Sequence, residues 1–426
     1  MSDSKNDIAW QKLFDKFEII KNVLANDQIV ITSNDINIFR ESRLMTKFDH
    51  KSQLPEIFSE NSLSILPISR GSYLIANIDI FHSFTQEEIE IKKIAFPGYL
   101  ESLDYNNITS EATAINCAFV SGILKDFTNE IELSPTVSGR MSSSCFDFTI
   151  NSGKGLLKIN VENSQVEIDG GYEGATSLNI IEAKNYLSDD FLIRQLYYPY
   201  KLWMGKVKKK VRTIFLTYTN GIFHLREYSF EDPGYYNSIK LVRQRKYSVK
   251  ESEINIETIQ EMLSQLKIVD EPKIAFPQAD SFERVINLCE LLKQKTTLTK
   301  DEITFNYDFE GRQTNYYTDA ARYLGLVDKK NEDRQVVFFL TIKGREVFNL
   351  PIVDRQIEFI KIVLSHSVFK KVIELYFENA DAPSRDKIVE IMKDASLYNM
   401  RSNTTFYRRA STILGWINWI MSLLKE

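Results

Sequence analysis

The twenty residues from Gln165 to Lys184 constrain the fold more than any other stretch of this chain. They read QVEIDGG, a short loop YEGATS, then LNIIEAK. The first run is an apolar strand that delivers a carboxylate, Asp169, into a Gly-Gly turn. The second is apolar through Ile180 and Ile181 and ends in Glu182, Ala183 and Lys184. Period two along a strand puts Glu182 and Lys184 on one face and Ala183 on the other. A hairpin or near-hairpin brings Asp169 to the same end of the sheet as Glu182. Two carboxylates and a lysine converging on a sheet end suit a hard divalent cation with a second positive charge beside it.

These residues resemble the PD-(D/E)xK nuclease motif, written here as ID-x12-ExK. The resemblance implies an α+β fold with an αβββαβ core, one or two Mg²⁺ ions and hydrolysis of a phosphodiester. Carried over by position, it implies Asp169 and Glu182 as metal ligands and the Ala183 carbonyl as a third oxygen. Lys184 becomes the residue that orients or deprotonates the attacking water. An acid from the helix before the sheet would be a further ligand, here Glu111 behind a Ser110 or Thr109 N-cap. The other reading of Glu111 is a charge complementing the helix dipole. A glutamine and a tyrosine from the helix after the Glu-x-Lys strand, here Gln195 and Tyr198, would brace the site or meet the phosphate. Asp147 is a rival for the first acid; Asp169 is preferred because a single short connection carries it to Glu182.

A surface hairpin with a solvated salt bridge would give the same few residues, so the order of the surrounding elements matters. Residues 112–124 read as a helix. SPTVSGRMSSSCFDFTI alternates into a strand, with Ser138–Arg140 and Ser142–Ser144 as a loop before it that lets Arg140 touch phosphate or a base edge. A helix follows Lys184, which Pro199 is expected to end or kink. VRTIFLTYTNGIFHLREYSF is a β-hairpin turned at Asn220-Gly221, a pair that favours a type I′ turn. The resulting order is helix, strand, strand, strand, helix, strand, strand, that of the nuclease core.

The 426 residues hold two or three domains. The net charge of −5 argues mildly against a nucleic-acid partner, but the charge is uneven. Phe191–Lys250 carries thirteen Lys and Arg against three Asp and Glu, Lys208, Lys209 and Lys210 among them. A phosphate backbone is expected to lie along this belt. Cys117, Cys145 and Cys289 make no CxxC pair, and His50, His82, His224 and His366 are scattered. Thiolate zinc sites, histidine metal sites and catalytic triads are therefore disfavoured. The chain shows neither a bilayer-length apolar run nor a secretory signal, so a cytoplasmic protein without membrane partners is expected.

Around the core, residues 1–95 read as a winged-helix-like module: one helix over 8–25, a second near 36–47, a third near 54–61, then a hairpin about Ser69–Gly71. Arg40, Arg43 and Lys47 fall near one face of the second helix, and Arg70 sits at the tip of the wing. The nuclease region takes 96–270, and 271–281 reads as a linker. Residues 271–352 read as a winged helix, with 335–348 as its strand and wing. Arg312, Gln313, Asn315 and Tyr316 lie at the start of its third helix, where base edges are read. Residues 353–426 form a helical, helix-turn-helix-like tail. Asn403, Thr404, Tyr407, Arg408 and Arg409 give its last helix a polar, basic start.

Taken together, the layout resembles a type II restriction endonuclease. That implies duplex DNA as substrate, a homodimer at least on DNA, and a cognate DNA methyltransferase. A structure- or damage-specific nuclease and a non-catalytic DNA-binding regulator are the two alternatives.

Overall fold

The computed structural model describes residues 5–85, 87, 89–249, 254–306, 311–332, 334–395, 397–400 and 402–425, without the side chains of 305, 306, 311, 312 and 425. The chain is a mixed α+β protein of two units. One comprises Met1–Ile94, Ser110–Tyr218 and Ile222–Ser248, and the other Ala95–Thr109, Thr219–Gly221 and Val249–Glu426. The first unit thus joins the segments expected as an N-terminal module and a nuclease region.

Helices α1 (Lys5–Lys16) and α2 (Ile19–Asn26) replace the single helix expected over 8–25. Glu18 between them has φ 46°. Ile19 lies about two and a half helical turns beyond Trp10 and would face away from it on a continuous helix. The break returns Ile19 and Val23 to the core of Trp10, Leu13 and Phe14. Next come β1 (Gln28–Thr32), α3 (Ser33–Asn37), α4 (Ser42–Met45), α5 (Glu56–Glu60), β2 (Ser64–Ser69) and β3 (Ser72–Ala76). Their sheet has the order β1-β3-β2. The helix expected near 36–47 is two short ones, because Asn37 Oδ1 accepts from the Ser42 N–H and restarts the chain. Arg40, Arg43 and Lys47 therefore share no helix face, and Arg40 donates to Asn6.

The rest of the unit runs β4 (Phe81–Ser83), β5 (Ile91–Lys93), α6 (Glu111–Val120), α7 (Ile123–Thr128), β6 (Ser134–Ser142), β7 (Phe146–Ser152), β8 (Gly155–Val161), β9 (Gln165–Glu173), β10 (Ser177–Lys184), β11 (Asp190–Leu192), α8 (Arg194–Met204), β12 (Lys210–Thr219), β13 (Ile222–Phe230) and β14 (Ile239–Ser248). The main sheet has the order β5-β14-β13-β12-β10-β9-β6. β9 pairs antiparallel with β6 and β10, whereas β10 and β12 are parallel, as a helical crossover through α8 requires. Along the chain α6 and α7 are followed by β6, β7, β8, β9, β10, β11, α8, β12 and β13: the one strand expected before β9 is β7, whereas β6, which flanks β9 in the main sheet, comes from the segment expected as a loop. One core gathers Leu66 and Leu74 of the N-terminal sheet with Phe148, Ile168, Ile180, Leu196 and Phe215.

Four expectations change here. Gly170 and Gly171 form no turn but continue β9. A Cβ on Gly171 would lie 2.7 Å from that of Val137 on β6, so the glycines let neighbouring elements close up. Ser138–Arg140 lies within β6, where Arg140 pairs across to Glu167. The helix read over 112–124 breaks at Gly122 (φ 83°). Helix α8 runs through Pro199, its buried Leu196, Tyr197 and Tyr198 holding the turn that proline weakens. The β12–β13 turn is as expected, with Asn220 and Gly221 both at positive φ.

The second unit contains β15 (Ile254–Asn255), α9 (Ile256–Gln265), α10 (Phe282–Lys295), β16 (Thr297–Thr299), α11 (Lys300–Asn306), α12 (Gly311–Tyr323), β17 (Val327–Glu332), β18 (Gln335–Leu340), α13 (Ile342–Asn349), α14 (Ile352–Leu364), α15 (Ser367–Asn379), α16 (Arg385–Asp394), α17 (Asn403–Leu423) and β19 (Leu424–Lys425). Its three-stranded sheet has the order β16-β18-β17. Helix, short strand, helices and hairpin thus succeed one another as in residues 19–76, with the strands in the same first-third-second order. Of residues 335–348, expected as a strand and wing, 335–340 lie in β18, while Ile342–Asn349 form α13 instead. Thr341 caps that helix by accepting from the Gly344 N–H. Ala320, Ala321, Leu324, Leu326, Trp416, Trp419 and Ile420 are buried. The segment 271–281 is irregular yet anchored: Ala279 O accepts from Trp416 Nε1 and Asp280 from Thr412. Among the described residues no helix is long and apolar enough to cross a membrane.

Candidate active site at the ends of strands β9 and β10

The pairing of β9 with β10 stops at Gly170 opposite Ile181, one residue short of Asp169 and Glu182. There the ladder opens, and Asp169 Oδ2 accepts the Ala183 N–H at 2.9 Å. That contact fixes the first carboxylate against the Glu-x-Lys segment. Lys184 Nζ lies 2.6 Å from Glu182 Oε1 and 4.0 Å from Glu111 Oε1. Gln195 Nε2, from the first turn of α8, donates to Glu182 Oε1 at 2.8 Å. Ser110 caps α6 by accepting from the Thr113 N–H, which places Glu111 at the helix start. Asp169, Glu182, Lys184, Glu111 and Gln195 are thus together.

One acid was not expected. Asp49, from the loop between α4 and α5, sits within 3.4 Å of Gln195 Nε2. Its loop is pinned by Leu192 N donating to Asp49 O, by His50 against Tyr186 Oη at 2.9 Å, and by His50 against Asp190 O at 2.8 Å. Phe48-Asp49-His50 carries no sequence signal for this, because its partners lie more than a hundred residues on. Lys47, expected as a DNA contact, is 3.8 Å from Asp49 and stands at the rim of the site.

The electrostatics follow from four acids sharing one buried lysine. Burial pushes the Glu182 carboxyl up to about 8, with Lys184 opposing and Asp169 adding to the rise. Burial likewise raises Asp169 and Glu111 against the pull of Lys184. At Asp49 burial acts upward too, but the positive charges of Lys184, Lys47 and Arg194 hold it below the usual carboxylate range. For Lys184 burial alone would favour the neutral amine; Glu182, Tyr186, Asp49 and Glu111 outweigh it and keep it an ammonium. Such an excess of buried acid over base is relieved by proton uptake or by a cation. Gln195 Oε1 is also buried without a hydrogen-bond partner. Oxygen donors in negative surplus fit a hard divalent ion. As they stand, no three Asp, Glu, His or Cys side chains among the described residues are gathered closely enough to hold one.

Other expected contacts disperse. Lys210 is level with Ser177, whereas Glu182 is level with Phe215, so Lys208–Lys210 lies about 16 Å along the strands from the acids. Lys209 is bound to Glu173. Other belt cations are also paired: Arg212 and Arg243 meet Glu227, Arg245 meets Asp126 and Lys240 meets Glu231. Arg226 differs. Its guanidinium donates to Thr217 Oγ1 at 3.2 Å and to His224 Nδ1 at 2.7 Å, and lies over Phe84. Thr217 is the residue paired with Lys184, so a cation with neutral partners stands near the site. Asp147 is ion-paired with Lys158 on the inserted hairpin and is no rival to Asp169.

Arg70 is exposed at its hairpin tip, and Arg43, Asn315, Asn403, Thr404 and Arg408 are exposed. Gln313 and Tyr316 are half-buried near the start of α12, while the Arg312 side chain is outside the described residues. Tyr407 donates to Asp386, and burial lowers the half-buried Arg409 despite the nearby Tyr316.

Three family models match the chain, each described as a domain of unknown function: DUF6996 over residues 7–75, DUF6997 over 76–248 and DUF7226 over 284–425. The second spans Asp169, Glu182, Lys184, Glu111 and Gln195, and the first spans Asp49. The third runs across the boundary expected at residue 352. No curated protein and no solved structure matches.

Proposed function

We propose that this chain is a Mg²⁺-dependent endodeoxyribonuclease with a PD-(D/E)xK core, cutting duplex DNA at a specific sequence as type II restriction endonucleases do. One observation carries the reading: Asp169, Glu182 and Lys184 meet at the end of two strands, with Gln195 and Glu111 beside them. The strand order β6-β9-β10-β12, with only β9 antiparallel to its neighbours, supports it.

Asp169, Glu182 and the Ala183 carbonyl would hold the ion, with Glu111 within reach. Bound there, Mg²⁺ supplies a Lewis acid for the phosphoryl oxygens and counter-charge for the leaving 3′-oxygen. Lys184, held as an ammonium, would donate a hydrogen bond to the attacking water and orient it in line with the phosphorus. Gln195 keeps the Glu182 carboxylate turned toward the strand end. Arg226 offers positive charge to the backbone beside the cleaved bond. The two sets of helix, strand, helices and hairpin support winged-helix readers on the DNA, and cutting both strands calls for two copies of the site, hence a homodimer. A cognate methyltransferase would protect the host's own sites.

The test is plasmid DNA incubated with the pure protein, with and without Mg²⁺. Discrete fragments that need Mg²⁺ support the proposal. Cutting confined to junctions or damaged DNA favours a repair-type nuclease, and tight binding without cutting favours a regulator.

A further inference from the structure

The N-terminal module is joined to the site through one acid. Asp49 Oδ1 lies 3.4 Å from Gln195 Nε2, which also donates to Glu182 Oε1 at 2.8 Å. An amide facing two acceptors must present its NH₂ group to both. Its oxygen is thereby turned away, which accounts for a buried Gln195 Oε1 with no partner. The Asp49 loop is itself held from several sides. His50 is buried between Tyr186 Oη and Asp190 O, Lys51 N donates to Asp190 Oδ1, and β4 pairs with β11. Asp190 and Tyr186 flank the Glu-x-Lys segment and α8, so the loop is locked to the strand end it serves.

We propose that Asp49 is a positioning residue of this site. It fixes the Gln195 amide and, through it, the Glu182 carboxylate, making the N-terminal module a working part of the ion site as well as a DNA reader. The inference rests on the ion-binding reading of the site. A partner held by hydrogen bonds behind a metal ligand is commonly worth 10–100-fold in affinity.

The experiment uses the full chain. Mg²⁺ binding is measured by titration calorimetry and plasmid cleavage by single-turnover kinetics, for wild type, Asp49→Ala, Asp49→Asn, Gln195→Ala and the Asp49→Ala/Gln195→Ala pair. Asp49→Ala should weaken Mg²⁺ binding and slow cleavage about 10–100-fold, with DNA affinity in Ca²⁺ unchanged. Asp49→Asn keeps an acceptor for Gln195 and should recover most of that loss, a rescue that a merely structural defect would not track. The double variant should be no worse than the worse single, since both cut the same link. Wild-type behaviour of Asp49→Ala, or equal losses in Asn and Ala variants, overturns this inference alone. A wild-type chain that binds no divalent ion and cuts nothing overturns it together with the proposed nuclease activity.

Discussion

Binding of a divalent ion to this site should be a proton exchange, and its size follows from Glu182. Burial raises that carboxyl from 4.5 to about 8. An acid with that value is about 90% protonated at pH 7 and about 10% at pH 9. An ion that takes the carboxylate therefore expels about 0.9 proton per site at pH 7 and about 0.1 at pH 9. Affinity should climb nearly tenfold per pH unit up to about pH 8 and then level off. Calorimetric titrations of Mg²⁺ in buffers of differing ionisation enthalpy measure the released proton directly, and Glu182→Gln should remove it. The sign carries over to stability. The folded chain keeps a proton that the unfolded chain loses above pH 4.5. This contribution is therefore full below 4.5 and is lost as pH rises toward 8. The gain in melting temperature from saturating Mg²⁺ should accordingly widen across that window. Ion binding at pH 7 that releases no proton, or releases as much at pH 9, would refute this account of the site.

Three further outcomes are expected. Asp169→Ala and Glu182→Ala should each abolish Mg²⁺-dependent cleavage while leaving gel-shift affinity for DNA within a few-fold; residual cutting by either removes that residue from the proposed chemistry. Glu227→Ala strips the carboxylate from the buried Arg212 and from Arg243 and should cost about 3–5 kcal/mol in urea unfolding. Gly171→Ala places a methyl 2.7 Å from the Val137 Cβ and should cost about 1–3 kcal/mol, with weaker Mg²⁺ binding as β9 shifts and carries Asp169 with it.

What the sequence disclosed and what it hid divide by range. Local chemistry was legible: Ser110 caps the helix expected after it, and Asn220-Gly221 turns the hairpin. The meeting of Asp169 with Glu182 was also legible, because strand alternation and one short connection dictate it. Gly170-Gly171 misled, since the same residue that permits a turn also permits close packing against Val137 and Ile115. Pro199 misled because tertiary burial outweighed a lost helical hydrogen bond. Composition could not show that three cations of the basic belt, Arg212, Arg243 and Arg245, point at Glu227 and Asp126. Asp49 was invisible: its role is set by a loop docked onto β11 and α8, which no local pattern encodes.

The shared core of Leu66, Leu74, Ile168 and Ile180 has an evolutionary corollary. Under the proposed function, a reading module fused in this way to the catalytic sheet could not be exchanged as a cassette, because a graft ending near residue 76 would expose part of a common interior. Under that proposal, new specificity on that side would arise by substitution at exposed positions such as Arg43 and Arg70, one residue at a time.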